Sequence, residues 1–323
     1  MKREKGKLFF NGEKGFLRSN SSTKLVIFFA LIGIFLYGGC SVFRYEIKKR
    51  EVKVSYKEAS LDQLLELINR NQELIHSLTA SLQVGLNFGV PGKYDSCKGQ
   101  LLIERPHKIR LTGYRSLMPT FFLMVADADN YWVYIPSKKK VYQGLTAKNN
   151  MLPYKDEEVS IKDIKPHEIL AALMLDDKIT PSQSERKAYL DILPNIYIIN
   201  IVETKGDSLL YPVRRIWVER EKLTVVRHEL FDSQGRLRSE VYFSNHRPAG
   251  ETTFPGLVLI KRPWEGMSIR LVFNKIKLNQ PLNPEAFSFQ PSEDVEVINV
   301  DTHNQEIPLR NSIKNYWNEQ WQT

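Results

Sequence analysis

Cysteine is almost absent: the 323 residues hold two, Cys40 and Cys97. Zinc sites built on paired cysteines are thereby excluded. If Cys40 is consumed by the modification argued below, Cys97 has no partner and no intramolecular disulfide holds the fold. Cys97 lies in "GKYDSCKGQ", a polar, turn-like stretch, and reads as a tolerated loop thiol. Catalytic patterns are missing as well. The six histidines (His76, His107, His167, His228, His246 and His303) form no H-x-x-x-H or H-E-x-x-H pair that would put two metal ligands on one helical face. There is no G-x-S-x-G elbow and no glycine loop to cradle a phosphate. The adjacent acids Glu157-Glu158 and Asp176-Asp177 point apart on either a helix or a strand and read as solvated surface. Asp127, at the end of a strand, reads as a turn former. No enzyme, cofactor or metal is expected.

An excess of basic charge is also weaker than it looks. Of the formal +9, the first 39 residues supply +5, which leaves 39 basic against 35 acidic side chains. The high pI is therefore poor evidence for a nucleic-acid partner. Long apolar runs are equally scarce. The outstanding one is "KLVIFFALIGIFLYGGCSVF", residues 24–43. Its apolar part, 25–39, is 15 residues long. A bilayer-spanning helix needs about 20, whereas a signal-peptide apolar region has about 7–15. Lys2, Arg3, Lys5, Lys7, Lys14, Arg18 and Lys24 precede it against Glu4 and Glu13, which holds this end in the cytoplasm. Two glycines then lead into Cys40, resembling a bacterial lipobox, with Tyr37 where an aliphatic residue is usual and Leu36 one place early. Cleavage with lipidation of Cys40 is the reading adopted; an uncleaved signal anchor, helped by Val42 and Phe43, is the other. Either way the rest is exported and membrane-tethered, facing the periplasm. Ser41, which is not the Asp of inner-membrane retention, leans the anchor to the outer membrane. Arg44, Lys48, Lys49 and Arg50 read as a solvated linker before a headgroup-binding patch.

The chain beyond the leader has a definite rhythm. Residues 1–39 are the signal, 40–60 a tether, 61–300 one domain and 301–323 a tail. Ser60 can cap a helix whose apolar stripe runs through Leu61, Leu64, Leu65, Ile68, Leu74, Ile75 and Leu78. The period then becomes two: Leu82, Val84, Leu86 and Phe88 alternate with Ser81, Gln83, Gly85 and Asn87, predicting a half-buried strand. Further strands are predicted in 98–115 around Pro106, at 120–128, 130–136 and 140–145, and again at 196–203, 211–220, 223–232, 237–245, 253–263 and 267–278. A second helix is predicted over 165–175, with Pro166 in its first turn. "FDSQGRL" reads as a hairpin turn with Gly235 free to take positive φ. The sum is ten or eleven antiparallel strands with two helices. "IERPHKIRL" and "IKRPWEGMSIRL" both read strand, Arg-Pro, strand: a shared way of turning a corner.

Three segments together resemble the LolA/LolB-like periplasmic lipoprotein carriers and receptors: "GQLLIERP" (99–106), "DADNYWVYIP" (127–136) and "PLNPEAFSFQPSEDVEVI" (281–298), whose F-x-F-x-P core is similar to the family's last strand. The resemblance implies a mainly β fold, an antiparallel sheet curled into an incomplete half-barrel and covered by α-helices around a hydrophobic cavity. It implies that Arg105 matches an arginine tethering a lid helix through backbone carbonyls. A guanidinium suits this, since it offers five donors and keeps its charge. Candidate cavity-lining residues are Leu82, Val84, Leu86, Leu101, Ile103, Ile109, Leu111, Trp132 and Tyr134. Leu117 and Met118, between the third and fourth strands, are candidates for a membrane-directed loop, with packing on Phe121 or Phe122 as the plainer reading. The expected function is binding of lipid or lipoprotein acyl chains for transport or insertion at the envelope, with envelope transport proteins as further partners. The alternatives are a scaffolding lipoprotein with a filled core, and an envelope enzyme on a similar sheet. Tyr131, Trp132, Tyr134 and Trp217 could stack on sugars or bases, but such rings more often wall a core or pocket. Trp317 and Trp321 in the tail could dock on the sheet or a membrane.

Overall fold

A computed structural model describes residues 55–89, 94–116, 118–146, 161–176, 179, 186–205 and 209–302. Cys40 and the leader, Leu117, the side chain of Met118 and the tail tryptophans lie outside the described residues. The first helix, α1 (Leu61–Glu73), starts where Ser60 accepts from the Gln63 amide at 3.3 Å while the Gln63 side chain accepts from the Ser60 amide at 2.9 Å. This reciprocal pairing satisfies two amides that the helix leaves open. Leu64, Leu65 and Ile68 are its buried stripe, each stabilising by about 1.5–3 kcal/mol through burial. The helix ends five residues before Leu78, which belongs to the next strand. There, the side chain of Asn279 accepts from the amides of His76 and Ser77 at 2.8 and 3.3 Å. That competing acceptor, remote in sequence, stops the helical stripe short of its apolar pattern.

Among the described residues sixteen strands follow: β1 (Ser77–Phe88), β2 (Asp95–Glu104), β3 (Lys108–Arg115), β4 (Met118–Ala126), β5 (Asn130–Ile135), β6 (Lys140–Leu145), β7 (Arg186–Ile192), β8 (Ile196–Lys205), β9 (Leu209–Glu219), β10 (Thr224–Phe231), β11 (Leu237–Ser244), β12 (Arg247–Ala249), β13 (Thr252–Phe254), β14 (Leu257–Arg262), β15 (Met267–Leu278) and β16 (Glu296–Asn299). The short helix α2 (Pro166–Ala172) sits between β6 and β7. Fourteen strands form one sheet in the order β16-β6-β5-β4-β3-β2-β1-β15-β14-β11-β10-β9-β8-β7, and β12-β13 form a separate ribbon. Two meanders are thus joined where β1 pairs with β15. The pairing is antiparallel as expected except at one edge, where β16 runs parallel to β6. The molecule is mainly β, a large antiparallel sheet with few helices. Among the described residues no helix is long and apolar enough to cross a membrane.

Cross-strand register shows which side chains share a face. Leu82, Val84 and Leu86 stand opposite Phe273, Leu271 and Ile269 on one side. Ala80 stands opposite Leu101, Leu101 opposite Leu111, and Ile103 opposite Ile109. All of these are buried, in one apolar cluster with α1 and with Ile169, Leu170 and Leu173 of the α2 segment. Cys97 belongs here too. It stands in β2 opposite Val84, not in a loop, and burial pushes its thiol up to about 11. Aromatic rings on this face lie over glycines: a Cβ at Gly113 would come within 2.3 Å of the Phe122 ring. Gly113→Ala is therefore expected to cost about 1–3 kcal/mol, read as a lower urea midpoint at unchanged slope. A variant as stable as the parent would mean that the ring moves aside freely.

Trp132 and Tyr134 require a correction. In β5 the residues facing the helices are Tyr131, Val133 and Ile135, all buried, while Trp132 and Tyr134 alternate onto the other face. One step along a strand reverses the side. That other face is covered by the segment after β15: Phe289 lies 5.5 Å from the Tyr134 ring and Arg110 donates to the Ala286 carbonyl at 2.9 Å. "FSFQP" is accordingly not a strand. Pro284–Phe287 is a 3-10 turn, Phe287 is buried, and the terminal strand is β16. Asp127 does close a turn, accepting from the amides of Asp129 and Asn130 at 2.8 and 2.7 Å.

Candidate functional site

The α2 segment is short, apolar beneath and tied down by charge. Pro166 occupies its first turn, where a missing N–H costs nothing. Ile169, Leu170 and Ala172 are its buried side, packed against β3, β4 and β5. An amide clasp joins it to α1: Asn69 donates to the Ile179 carbonyl at 3.0 Å and accepts from the Ile179 amide at 3.0 Å. The two helices with the turn after α2 form one cover over the apolar face.

Arginines from the sheet hold that cover. Arg105, at the corner after β2, donates from Nε to the Leu175 carbonyl at 3.0 Å, from Nη2 to the Asp176 carbonyl at 2.8 Å and from Nη1 to the Gln72 carbonyl. One guanidinium therefore grips both the end of α1 and the turn after α2. Gln72 lies in the last turn of α1, whereas Leu175 and Asp176 lie in the turn beyond α2. Arg214 of β9 reaches the same turn, pairing with the Asp176 carboxylate at 2.8 Å. At the other end of α2, Glu168 pairs with both Arg238 of β11 and Arg262, the last residue of β14. Arg262 also donates to the Asp163 carbonyl at 3.5 Å and pairs with Glu265. The two Arg-Pro corners that echo each other in the sequence thus grip the same short segment, one near each end.

Burial sets the electrostatics. Burial alone would raise the Glu168 carboxyl, but Arg262 and Arg238 outweigh it and hold it down to about 2. Lys165, 3% exposed, is pushed down to about 8 by burial. Burial lowers His167 to about 4, and takes His228, wholly buried on β10, well below its usual range, with Arg214 adding to the effect. Both imidazoles are therefore neutral at pH 7.

Arg105 and the strand residues Leu82, Val84, Leu86, Leu101, Ile103, Ile109 and Leu111 come together beneath or beside the cover, whereas Trp132 and Tyr134 do not. Asp176, read from sequence as solvated surface, is instead the residue on which two arginines converge. Sequence reasoning missed Glu168, Arg214, Arg238 and Arg262; the Arg262-Pro263 echo was the available signal for one of them. Trp217 is no open stacking platform. The guanidiniums of Arg227 and Arg215 lie 4.5 and 5.7 Å from its ring.

Solved structures similar to this chain include a DUF1329 family protein from Desulfovibrio piger, 16% identical with a TM-score of 0.49, covering 72% of this chain and 98% of that one. Another is a putative outer membrane lipoprotein-sorting protein domain from Vibrio parahaemolyticus, 16% identical with a TM-score of 0.45, covering 69% and 95%. A third is a LolA superfamily protein from Nitrosomonas europaea, 13% identical with a TM-score of 0.46, covering 72% and 99%. No curated protein matches the sequence. Residues 109–290 match the model of a family described as "Uncharacterized protein", and since this is more than half of the chain, the protein belongs to that family.

Proposed function

We propose that this protein is exported, tethered to the envelope through Cys40 and facing the periplasm, and binds acyl chains of a lipid or lipoprotein between its sheet and its helical cover. The observation that carries this reading is the way the cover is attached. An apolar face lies under two helices that Arg105 ties down through carbonyls at the end of α1 and in the turn after α2, and such bonds can be broken and remade without unfolding the sheet. Arg105 acts as the latch. Entry of a chain is driven by removing methylenes from water, about 0.8 kcal/mol each. Release requires an acceptor that offers the chain an equally dry site.

The sheet in this proposal is curled into an incomplete barrel. Support comes from Asp176, which Arg105 and Arg214 both bond. Six strand spacings separate β2 from β9 in the sheet order, about 29 Å if the sheet were flat. Two arginine side chains and one aspartate do not span that distance, whereas a strongly curved sheet brings the two strands towards a common point.

A scaffolding role is the second reading. It is favoured by the close burial of the inner face: Leu82 is 1%, Val84 0% and Leu101 0% exposed with the cover in place. Native mass spectrometry of membrane-extracted protein separates the two. Acyl binding predicts a co-purifying guest of lipid mass, together with cleavage before Cys40 and added acyl mass on it. A guest-free protein that also takes up no fluorescent fatty acyl probe leaves the scaffold.

A further inference from the structure

Asp176 is held by two arginines from opposite halves of the sheet: Arg105 through its carbonyl and Arg214 through its carboxylate, each at 2.8 Å. Asp176 belongs to the cover, whereas both guanidiniums belong to the sheet. The site has unused capacity as well. Nη1 of Arg214, Oδ1 of Asp176 and the side-chain amide of Gln72 are buried with no hydrogen-bond partner. It also lies at an edge. The side chains of Asp176 and Arg214 are 25% and 13% exposed, while the apolar face beneath the cover is closed to water.

We infer that Arg105 and Arg214 form a receptor for the anionic head group of the acyl guest, and that the carboxylate of Asp176 occupies it when the guest is absent. The inference rests on the acyl-binding reading and names the class of guest: a single chain or chains ending in a carboxylate or phosphate. Planar forks of donors match the oxygens of either anion. When the cover swings out, Asp176 leaves with it and the two arginines stay on the sheet. The head group then sits at the water edge with its chain directed inward. On closing, Asp176 competes for Arg214 and helps expel the head group, so the cover and the guest exclude each other at one guanidinium.

The test uses the delipidated full chain and three probes: a fluorescent long-chain fatty acid, its methyl ester and the matching lysophosphatidate. Wild type is expected to bind at least one anionic probe about tenfold more tightly than the ester, the scale of a charge-assisted hydrogen bond. Whichever of carboxylate and phosphate binds more tightly identifies the head group. Arg214→Gln should cut the anion-to-ester ratio several-fold, towards what Arg105 alone supports, while ester binding persists. Arg214→Lys should keep part of the preference, because a point charge remains without the fork. Asp176→Asn should tighten the anionic probes more than the ester and raise the ratio, because the competing carboxylate is gone. Ester binding with no preference for the anion, or a preference undiminished by Arg214→Gln, overturns this inference alone. Binding of no probe overturns it together with the acyl-binding reading.

Discussion

Glu168→Gln is expected to destabilise the protein by about 3–5 kcal/mol, the range for breaking a buried ion pair from one side. The substitution preserves shape and removes charge. Arg238 and Arg262, whose side chains are 13% and 7% exposed, then face a neutral amide. Arg262 keeps its pair with Glu265. Urea denaturation at pH 7 measures it, and a change below about 1 kcal/mol would mean that the pair is solvated like a surface bridge. The pH dependence gives an independent check. The folded carboxyl lies at about 2 against 4.5 ordinarily. Its stabilisation is therefore complete above pH 4.5 and is lost as pH falls towards 2. The gap between wild type and Glu168→Gln should close over that interval. A separate loss sets in earlier. His167 and His228 are held neutral below their usual range, so in the unfolded chain they take up protons below pH 6.5 while the folded protein resists. Stability should begin to fall there in both proteins.

Arg105→Gln is expected to loosen the cover while leaving the sheet in place. Three donations to carbonyls are lost at once, from the end of α1 and from the turn after α2. Hydrogen bonds from a charged donor are worth about 1.5–3 kcal/mol each and do not add fully. A local opening free energy lower by about 3 kcal/mol corresponds to exchange roughly 100-fold faster. The amides to watch are Leu173, Met174 and Leu175, which donate to Ile169, Ala171 and Leu170. Those of β8 and β9 should keep their protection. If the cover amides exchange at the wild-type rate, Arg105 is not the latch. If every amide speeds up equally, the residue supports the whole fold.

Where a strand has one dry and one wet side, its pattern was readable in advance. The alternation from Ser81 to Phe88 places β1, and 267–278 matches β15 residue for residue. The hairpin at Gly235 is equally local: its φ of +75° suits glycine, and Asp232 accepts from the amides of Gln234 and Arg236. β7 was invisible for the converse reason. As an edge strand it has exposed Lys187, Tyr189, Asp191 and Ile192 and no buried side chain to mark a face. In β5 the pattern was clear, but an alternation of aromatics with aliphatics does not say which set faces the helices. That was decided by Tyr131 standing opposite Ala126 and Gly144, on the side that α2 covers.

The polar ties of the cover lie on a different scale. Arg105 and Asp176 are 71 residues apart, Arg214 and Asp176 38, Arg238 and Glu168 70, and Arg262 and Glu168 94. Caps, turns and strand periods arise from neighbours within a few residues, and the sequence by itself determined them. Which arginine meets which carboxylate depends on the order of fourteen strands and on how far the sheet bends. Backbone hydrogen bonding and long-range burial settle that order, and it is what turns two ordinary acids, Glu168 and Asp176, into the fastenings of the helical cover.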